Sequence, residues 1–445
     1  MEHTHLESLF PEISRFAEIE QIINFVKTGT SGQIVTMPGV GRGNICRFLA
    51  YNRNVRIKHL GKNQVLFHFV FINFTEIHKR QLPDVITFIF LQLTTSLKER
   101  LFEDEFITVD KIFKEALLYK NELVLAEALK NALDFLVYEK NLTITFLFER
   151  FELYIPSVNE DFFIFLQSLR ARIKYKFSVI FSTTRPLEET IDANILSSFF
   201  EFIAGHIIYP VLFDKEIINF RINHLEELTK KKIDKKTIDL LLKLTGGHEK
   251  LTRLGIEAIY SADVNKNYSS DSLTELLLSA STIKKSLENI WNYLSPNEQI
   301  LIVNKDNFGV DTSFLEKIGL LQDNNCAIPL LVDFAKKQKP ESLQEKTEFS
   351  YEIATNSIKK NNFIISDKLT GSELRLLKFL IENPARIIER DEIINAVWKD
   401  TTTIIGVTDQ ALDQLIFRLR KKIEDNPNEP KYIQTVKGRG IKFIA

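Results

Sequence analysis

The sequence predicts a multidomain protein of the α/β plus α+β class, with an N-terminal parallel-sheet domain, a helical middle and a small C-terminal α+β domain. Three observations support this. Short apolar runs alternate with helical patterns over the first 212 residues, strand signals stop after about residue 213, and strand patterns return at the end of the chain. Alternating strands and helices indicate βαβ units and a parallel sheet. At about 150 residues per domain, a chain of 445 residues should contain about three domains.

Five apolar runs are the predicted strands of the N-terminal domain. They cover residues 33–37, 65–74, 142–148, 177–182 and 207–211. Amphipathic helices are predicted over much of 80–140 and near 159–174. Because helices separate these runs, we expect them to pair as a parallel sheet.

The first run leads into a glycine-rich turn, Thr36-Met-Pro-Gly-Val-Gly-Arg-Gly43, which opens a helical pattern. A phosphate-binding P-loop needs glycine N–H groups, a lysine for the β/γ-phosphates and a hydroxyl for Mg²⁺. Gly39 and Gly41 meet the first need, whereas Arg42 stands at the lysine position and Gly43 supplies no hydroxyl. These four residues are the candidate nucleotide-binding residues, and ATP or ADP with Mg²⁺ is the candidate cofactor.

Three further landmarks follow in order. Glu149 ends the third apolar run, Arg185 follows the fourth, and Thr245-Gly-Gly-His-Glu-Lys250 interrupts a helical stretch. Together with the glycine turn, this order resembles the AAA+/STAND class of signalling ATPases over residues 15–260. The resemblance implies a nucleotide-held switch with a helical lid, with Glu149 and Arg185 as candidate catalytic residues. Glu249 stands where the family has proline, and Glu149 stands where aspartate is usual.

Two alternatives remain open for this degenerate P-loop. It is either a pseudo-ATPase scaffold or a switch that hydrolyses ATP slowly. Arg42 can bind phosphate, but its planar fork does not replace a compact ammonium group. The departures at Arg42, Gly43 and Glu149 favour the scaffold over the enzyme.

The C-terminal residues form a capped helix followed by a basic amphipathic helix. Thr370 and Glu373 have the spacing of a capping box. The helix at 408–423 has an apolar stripe on one face and carries Gln410, Gln414, Phe417, Arg418 and Lys421 on the other. From residue 414 to 442 there are eight basic and three acidic residues, a local charge of +5 in a chain of net charge −1. This pattern favours a localised phosphate-binding surface.

The helix and the two strands after it resemble the recognition helix and wing of OmpR/PhoB-type winged helix-turn-helix regulators. The matching segments are 410–423 and 432–443. Residues 349–366 would supply the N-terminal strands of that family. The resemblance implies double-stranded DNA as partner, with Gln414, Phe417 and Arg418 near bases. Residues implied near the DNA backbone or minor groove are Gln410, Arg420 and Lys437. Lys421 and Arg439 are also candidate DNA-binding residues.

The middle of the chain carries a second, weaker resemblance. Residues 294–301 and 314–321 resemble the opening and third helices of a winged-helix unit, but a single lysine gives no reason to assign it DNA binding. The predicted domains are 1–212 (P-loop), 213–265 (helical lid), 272–338 (winged-helix-like unit), 339–348 (linker) and 349–445 (DNA-binding domain).

Composition excludes several classes of protein. The two cysteines, Cys46 and Cys326, lie too far apart in sequence for a zinc-knuckle pattern, so no metal site is predicted. The start of the chain lacks a secretory signal pattern, and no apolar run approaches the ~20 residues that span a bilayer. We therefore expect a cytoplasmic protein without a membrane partner.

The leading hypothesis is a transcriptional regulator in which the P-loop domain serves as sensory or oligomerisation domain in place of a phosphorelay receiver. Residues 399–406 correspond to a loop that can touch RNA polymerase in the family, and a homo-oligomer is also considered. A second hypothesis is an ATP-hydrolysing switch localised by its DNA-binding domain. A third is a protein-binding scaffold, against which a strong salt dependence of DNA affinity would count.

Overall fold

The computed structural model describes residues 5–303, 311–338, 349–352, 357–360, 363–383, 386–398, 409–424, 426–427, 429–436 and 440–443. The chain forms two compact units. The N-terminal unit comprises Met1–Tyr293 and Asp311–Phe334, and the C-terminal unit comprises Leu294–Val310 and Ala335–Ala445.

A five-stranded parallel sheet forms the centre of the N-terminal unit. Its strands are β1 (Gly32–Val35), β2 (Phe67–Asn73), β3 (Thr143–Glu149), β4 (Phe177–Thr183) and β5 (Ile207–Ile208). Their order is β2-β3-β4-β1-β5, with parallel pairing throughout. Strands β1 and β4 are buried along their whole length, as expected for a parallel sheet covered on both faces. The predicted strands and their parallel arrangement are confirmed.

Helices pack on both faces of this sheet. Alternate residues of a strand point to opposite faces, so Leu147 packs with α1–α3, whereas Phe146 and Phe148 pack with the longer helices on the other side. The helices are α1 (Phe16–Lys27), α2 (Arg42–Tyr51), α3 (Arg53–Leu60), α4 (Leu82–Glu99), α5 (Glu103–Leu118), α6 (Glu122–Asp134), α7 (Glu160–Ile173), α8 (Leu187–Thr190) and α9 (Ala193–Ile203). The apolar core therefore packs against the sheet from both sides.

A run of helices follows the last strand, as predicted. Its elements are α10 (Lys215–Thr229), α11 (Lys235–Thr245), α12 (Glu249–Ala262), α13 (Ser270–Ser279) and α14 (Ser281–Tyr293). The predicted break at Gly246 and Gly247 is confirmed, since both have positive φ. A Cβ atom on Gly246 would lie 2.0 Å from the carbonyl oxygen of Ala327. This turn therefore requires glycine.

The segment predicted as a middle winged-helix-like unit contains α15 (Pro296–Val303), α16 (Ser313–Lys317), the antiparallel hairpin β6 (Leu321–Gln322) and β7 (Asn325–Cys326), and α17 (Pro329–Gln338). The two compact units divide this segment between them. The boundaries of the predicted lid and middle unit therefore stay predictions.

Besides α15 and the end of α17, the described residues of the C-terminal unit form three helices and two small antiparallel sheets. Its further elements are β8 (Phe349–Glu352), β9 (Ser357–Lys360), β10 (Phe363–Ile364), α18 (Gly371–Glu382), β11 (Ile387–Ile388), α19 (Arg390–Val397), α20 (Asp409–Ile423), β12 (Ile433–Val436) and β13 (Gly440–Phe443). The sheet orders are β10-β9-β8 and β11-β13-β12. The N-terminal strands expected over 349–366 and the C-terminal hairpin strands are confirmed.

A buried carboxylate ties the first of these helices to α20. Glu373 accepts a hydrogen bond from Thr370 N at 2.7 Å, which completes the predicted capping box. Lys422 Nζ donates to the same carboxylate at 2.6 Å, and Glu373 is only 1% exposed. Burial by itself raises the pKa of Glu373, but the hydrogen bonds from Lys422 and Thr370 outweigh it and lower the pKa below its usual value. The carboxylate thus stays charged and holds α18 against α20.

Replacing Glu373 with glutamine should destabilise the C-terminal unit by about 1–3 kcal/mol at pH 7. Because the folded-state pKa is lowered, the stabilisation is complete above the unfolded value of about 4.3 and is lost as pH falls through the folded pKa. The difference in the free energy of unfolding between wild type and Glu373→Gln should therefore decrease below about pH 4. This free energy is measured by urea unfolding followed through the fluorescence of Trp398, with the other tryptophan removed by Trp291→Phe.

The matched control is Glu382→Gln, which changes an exposed carboxylate on the same helix. It should leave the stability nearly unchanged at both pH values. A Glu373→Gln effect of equal size at pH 7 and pH 3 would show that the charge of the carboxylate is not what stabilises the unit.

Candidate nucleotide pocket and nucleic-acid interface

The loop between β1 and α2 lies at the carboxyl edge of the parallel sheet. From β1 the chain crosses to β2 at one edge of the sheet. From β4 it crosses in the opposite direction, to β5 at the other edge. Ligands of open α/β sheets bind at such a switch point. Gly39 and Gly41 have φ of +93° and +87°, and Gly41 is the N-cap of α2. The glycine turn therefore has the position and the backbone conformation of an anion-binding loop.

A carboxylate from the lid occupies the amino end of α2. A Cβ atom on Gly41 would lie 1.8 Å from Oε2 of Glu249, so this side chain fills the space that a phosphate would need. Asn44 Nδ2 donates to Glu249 Oε1 at 2.5 Å, and Arg221 Nη2 donates to the same oxygen at 3.0 Å. Glu249 is 6% exposed. A buried, hydrogen-bonded carboxylate therefore lies against Gly41 at the amino end of α2.

Beside Glu249 lies the guanidinium group of Arg15, whose side chain is fully buried. Its Nη2 donates to the carbonyl of Val40 at 2.5 Å and lies 3.5 Å from Glu249 Oε2. Its Nη1 donates to Glu18 at 3.2 Å. The guanidinium thus joins α1, the glycine loop and α12 through one buried cluster of charges.

His248, immediately before α12, closes the pocket on the other side. Its Nδ1 accepts from Leu251 N at 3.3 Å, so Nε2 carries the proton and donates to the carbonyl of Pro38 at 3.0 Å. Burial lowers the pKa of His248 to about 4, and the imidazole is neutral near pH 7. Lys250 N also donates to the carbonyl of Gly39 at 3.0 Å. The lid is thus hydrogen-bonded directly to the loop.

The structure places the other predicted nucleotide residues as follows. Arg42 forms an ion pair with Glu152. Glu149 is 7% exposed, and a Cβ atom on Gly43 would lie 2.8 Å from its Oε1. Burial raises the pKa of Glu149, a change that Arg42 opposes. The glycine turn, Arg42 and Glu149 are therefore brought together.

Arg185 has a different environment from the glycine loop residues. Its guanidinium carbon lies 4.7 Å from the ring centre of Tyr293 and 4.1 Å from that of Phe314. These are the distances of cation–π contacts. They favour a packing role for Arg185 and do not by themselves support its predicted catalytic role.

Several residues that shape this pocket were not predicted. Arg15 and Arg221 come from the first and tenth helices, and Glu152 follows the end of β3. The sequence carried one signal, since Glu249 replaces a proline in the Gly-Gly-His turn. Nothing in the local pattern pointed to the two arginines.

In the C-terminal unit, α20 presents the predicted polar face to solvent. Leu412, Leu415, Ile416, Leu419 and Ile423 are buried along the opposite stripe. The predicted residues of this face, Gln410, Gln414, Phe417, Arg418 and Lys421, are all exposed. Lys421 Nζ lies 4.7 Å from the ring centre of Phe417, a cation–π distance. The predicted face is therefore free for contact with a ligand of the unit.

Arg420 differs from its neighbours on α20. Its Nη2 donates to the carbonyl of Ile433 at 2.7 Å and to Thr435 Oγ1 at 2.9 Å. These bonds fasten α20 to β12, which favours a structural role for this arginine. Its predicted contact with the DNA backbone stays a prediction.

Buried and paired charges orient α20 at both ends. Arg390 Nε donates to Asp409 at 2.7 Å, and its Nη2 donates to Asp413 at 2.5 Å. At the other end, Glu424 accepts hydrogen bonds from the backbone N–H groups of Tyr432 and Ile433 at 2.9 and 2.8 Å. The helix is therefore held at a fixed angle to α19 and to the terminal hairpin.

The predicted wing residues Lys437 and Arg439, and residues 399–406 with their predicted polymerase contact, lie outside the described residues. Within the described ranges no cluster of three or more His, Cys, Asp or Glu side chains could hold a metal ion. In the same part of the chain, no helix combines the length and apolar character needed to cross a bilayer.

Two solved structures that resemble this chain differ in how much of it they cover. The RstA DNA-binding domain of Klebsiella pneumoniae, in complex with the RstA box, is 25% identical, with 22% of this chain and 91% of that chain covered and a TM-score of 0.19. The Walker-type ATPase of Pyrococcus abyssi is 12% identical, with 80% of this chain and 95% of that chain covered and a TM-score of 0.44.

Curated proteins match at the C-terminal end. The regulatory protein VirG of Rhizobium rhizogenes is 32% identical over 117 residues, which are 25% of this chain and 47% of that protein. The cholera toxin transcriptional activator of Vibrio cholerae is 35% identical over 78 residues, 18% of this chain and 26% of that protein. The phosphate regulon regulatory protein PhoB of Klebsiella pneumoniae is 36% identical over 74 residues, 17% of this chain and 31% of that protein. The chain thus spans about half or less of the length of these relatives.

The family model described as "Transcriptional regulatory protein, C terminal" matches residues 367–443. These residues hold α18, α19, α20 and the terminal hairpin, the elements that the sequence assigned to a winged helix-turn-helix. Residues 367–443 are therefore similar to the C-terminal domains of transcriptional regulatory proteins, PhoB among them.

Proposed function

We propose that this chain is a transcriptional regulator that binds double-stranded DNA sequence-specifically through α20. The observation that carries the proposal is the two-sided character of α20, with one stripe buried and the other carrying Gln414, Arg418 and Lys421 in solvent. An α-helix fits the major groove of B-DNA, where arginine pairs with guanine and glutamine with adenine. The family match of residues 367–443 supports the same assignment.

Further partners belong to the same proposal. The segment 399–406 is the proposed contact with RNA polymerase, by its place between α19 and α20. Self-association of the chain would let two copies of α20 reach successive half-sites about one helical turn apart on DNA.

We also propose that the N-terminal unit is the sensory module, in which Glu249 takes the place of a nucleotide phosphate. A buried carboxylate against Gly41, with donors from Asn44 and Arg221, supports this. Nucleotide binding then requires Glu249 to leave the pocket, which weakens the apparent affinity by the cost of that opening. ATP or ADP with Mg²⁺ is the proposed ligand.

The alternative, an ATP-hydrolysing switch, has one specific observation in its favour. Glu149 lies at the carboxyl end of β3 beside the glycine turn, and burial raises the pKa of its carboxyl group. A carboxyl group with a raised pKa is suited to proton transfer. Against hydrolysis, Arg42 already pairs with Glu152, and Gly43 has no hydroxyl to offer Mg²⁺.

Arg418→Ala should weaken binding to the cognate site by about 1–3 kcal/mol, because it removes a bidentate base contact. The full-length protein first selects its site from random duplexes. Affinities for that site and for random DNA are then compared at several salt concentrations. Equal losses on both DNAs would show that Arg418 contacts only phosphate.

Lys421→Ala serves as the matched comparison on the same helix face. It should weaken binding to all sequences alike and flatten the salt dependence, because it removes one phosphate contact. Arg253→Ala, which changes a partly exposed arginine of the N-terminal unit that pairs with Glu257, should change neither affinity. If Arg418→Ala and Arg253→Ala behave alike, α20 does not enter the groove.

Glu249→Ala should bind ADP about tenfold or more tightly than wild type, since the variant no longer has to displace its own carboxylate. Equilibrium titration of the full-length protein with ADP, with and without Mg²⁺, measures this. Adding Arg42→Ala to the variant should reduce the gained affinity.

The control is Glu257→Ala, which removes an exposed carboxylate from the same helix and should bind as wild type does. Equally tight ADP binding by wild type and Glu249→Ala would mean that Glu249 does not occupy the phosphate position. No binding by either protein would mean that the sensory ligand is not a nucleotide.

A further inference from the structure

A second cavity lies at the opposite edge of the parallel sheet from the glycine loop. It has a volume of about 530 Å³ and is bordered by α3, the start of β2 and the end of α4. Three arginines line it, Arg53, Arg56 and Arg100. Neither the sequence motifs nor the family match accounts for these residues.

Arg56 is 5% exposed, yet its charge has no carboxylate beside it. Its Nη1 donates to the carbonyls of Leu49 and Ala50 at 2.9 and 2.8 Å, and its Nε lies 3.5 Å from Gln64 Oε1. In the part of the chain that the structure describes, Nη2 has no hydrogen-bond partner. One side of the guanidinium is thus hydrogen-bonded to carbonyl groups near the end of α2, whereas Nη2 on the other side can donate to a ligand.

Arg100 reaches the same place from α4. Its Nη1 donates to the carbonyl of Phe67 at 2.7 Å and lies 3.3 Å from Nδ1 of the buried His68. Its Nη2 lies 3.5 Å from the carbonyl of Gln64, the residue that Arg56 also contacts. The two guanidinium groups therefore share a neighbour and lie close together.

These charges are not balanced by the protein. Among the described residues neither Arg56 nor Arg100 forms a salt bridge, and Arg53, which is exposed, forms none either. Burial lowers the pKa of Arg56 to about 10, with a further contribution from Arg53, and burial together with Arg56 lowers that of Arg100. One acidic residue lines the cavity, Glu99, which lies 3.8 Å from His5. Three arginines and one glutamate leave an excess of two positive charges.

Buried charges of like sign are costly unless an ion of opposite sign joins them. The planar fork of arginine is suited to bidentate hydrogen bonding with phosphate and carboxylate oxygens. A phosphate dianion has two negative charges, which would neutralise the excess of two positive charges in the cavity. A single carboxylate has one negative charge and would neutralise half of that excess. The charge balance therefore favours phosphate.

We propose that the cavity lined by Arg53, Arg56 and Arg100 binds the phosphate group of a small organic molecule. The volume is within the range of about 300–1,000 Å³ typical of small-molecule sites and exceeds what phosphate alone would fill. Tyr51, Phe71 and Phe102 also line it and offer apolar contacts for the rest of the ligand. The site is separate from the glycine loop and gives the N-terminal unit a second input.

Calorimetric titration of the full-length protein with inorganic phosphate, at constant ionic strength against chloride, tests the proposal. The wild-type chain should bind saturably, and Arg56→Gln should weaken binding about tenfold or more by removing a charge-assisted hydrogen bond. Arg53→Gln, which alters an exposed side chain and leaves the core intact, should also weaken it. Phenyl phosphate, with its added ring, should bind more tightly than inorganic phosphate.

Lys58→Gln is the matched control, because Lys58 lies on α3 but pairs with Glu12 outside the cavity. It should bind phosphate as wild type does. Absence of saturable binding in the wild type, or undiminished binding in both arginine variants, would overturn the proposal. Loss of phosphate binding in Arg42→Ala instead would place the anion at the glycine loop and overturn it too. If phenyl phosphate binds no more tightly than inorganic phosphate, the proposal that the ligand carries an organic group is overturned.

Discussion

The N-terminal unit depends on one buried carboxylate that several distant segments share. Glu249 comes from the lid, Arg15 from the first helix and Arg221 from the tenth, and they meet beside Gly41. A buried carboxylate is stable only when donors surround it, so this cluster holds lid and loop in one arrangement. The same contacts place the carboxylate beside Gly41, at the amino end of α2. In the proposed function, nucleotide binding has to break these contacts, so that Glu249 links the stability of the unit to ligand binding.

The C-terminal unit uses buried carboxylates in a related way but for another purpose. Glu373 joins α18 to α20 through Lys422, and Glu424 receives the backbone N–H groups that open β12. Both carboxylates find their donors within the unit. They fix α20 while its opposite face stays exposed. A rigid helix with a free polar face is what recognition of base edges requires, since the contacting side chains must arrive in register.

The two edges of the parallel sheet differ in how their charges are balanced. At the carboxyl edge, arginines meet protein carboxylates, as in the pairs of Arg42 with Glu152 and Arg221 with Glu249. At the amino edge, Arg56 and Arg100 donate hydrogen bonds to carbonyl oxygens. Carbonyl groups satisfy hydrogen bonds but carry no net charge. At the first edge the protein thus balances its own charges, whereas at the second edge the proposed phosphate ligand would supply the balancing charge.

The sequence by itself determined the strands of the parallel sheet, the glycine turns and the two faces of α20. These features follow from local periodicity, capping and backbone freedom, which neighbouring residues decide. Only the tertiary structure decided which charges meet. Arg15 and Glu249 are 234 residues apart, and the hydrogen bonds of Arg420 to Ile433 and Thr435 were not predicted. A local pattern marks a residue as polar or basic, but the partner of a buried charge is chosen by the packing of whole elements, which no short stretch of sequence encodes.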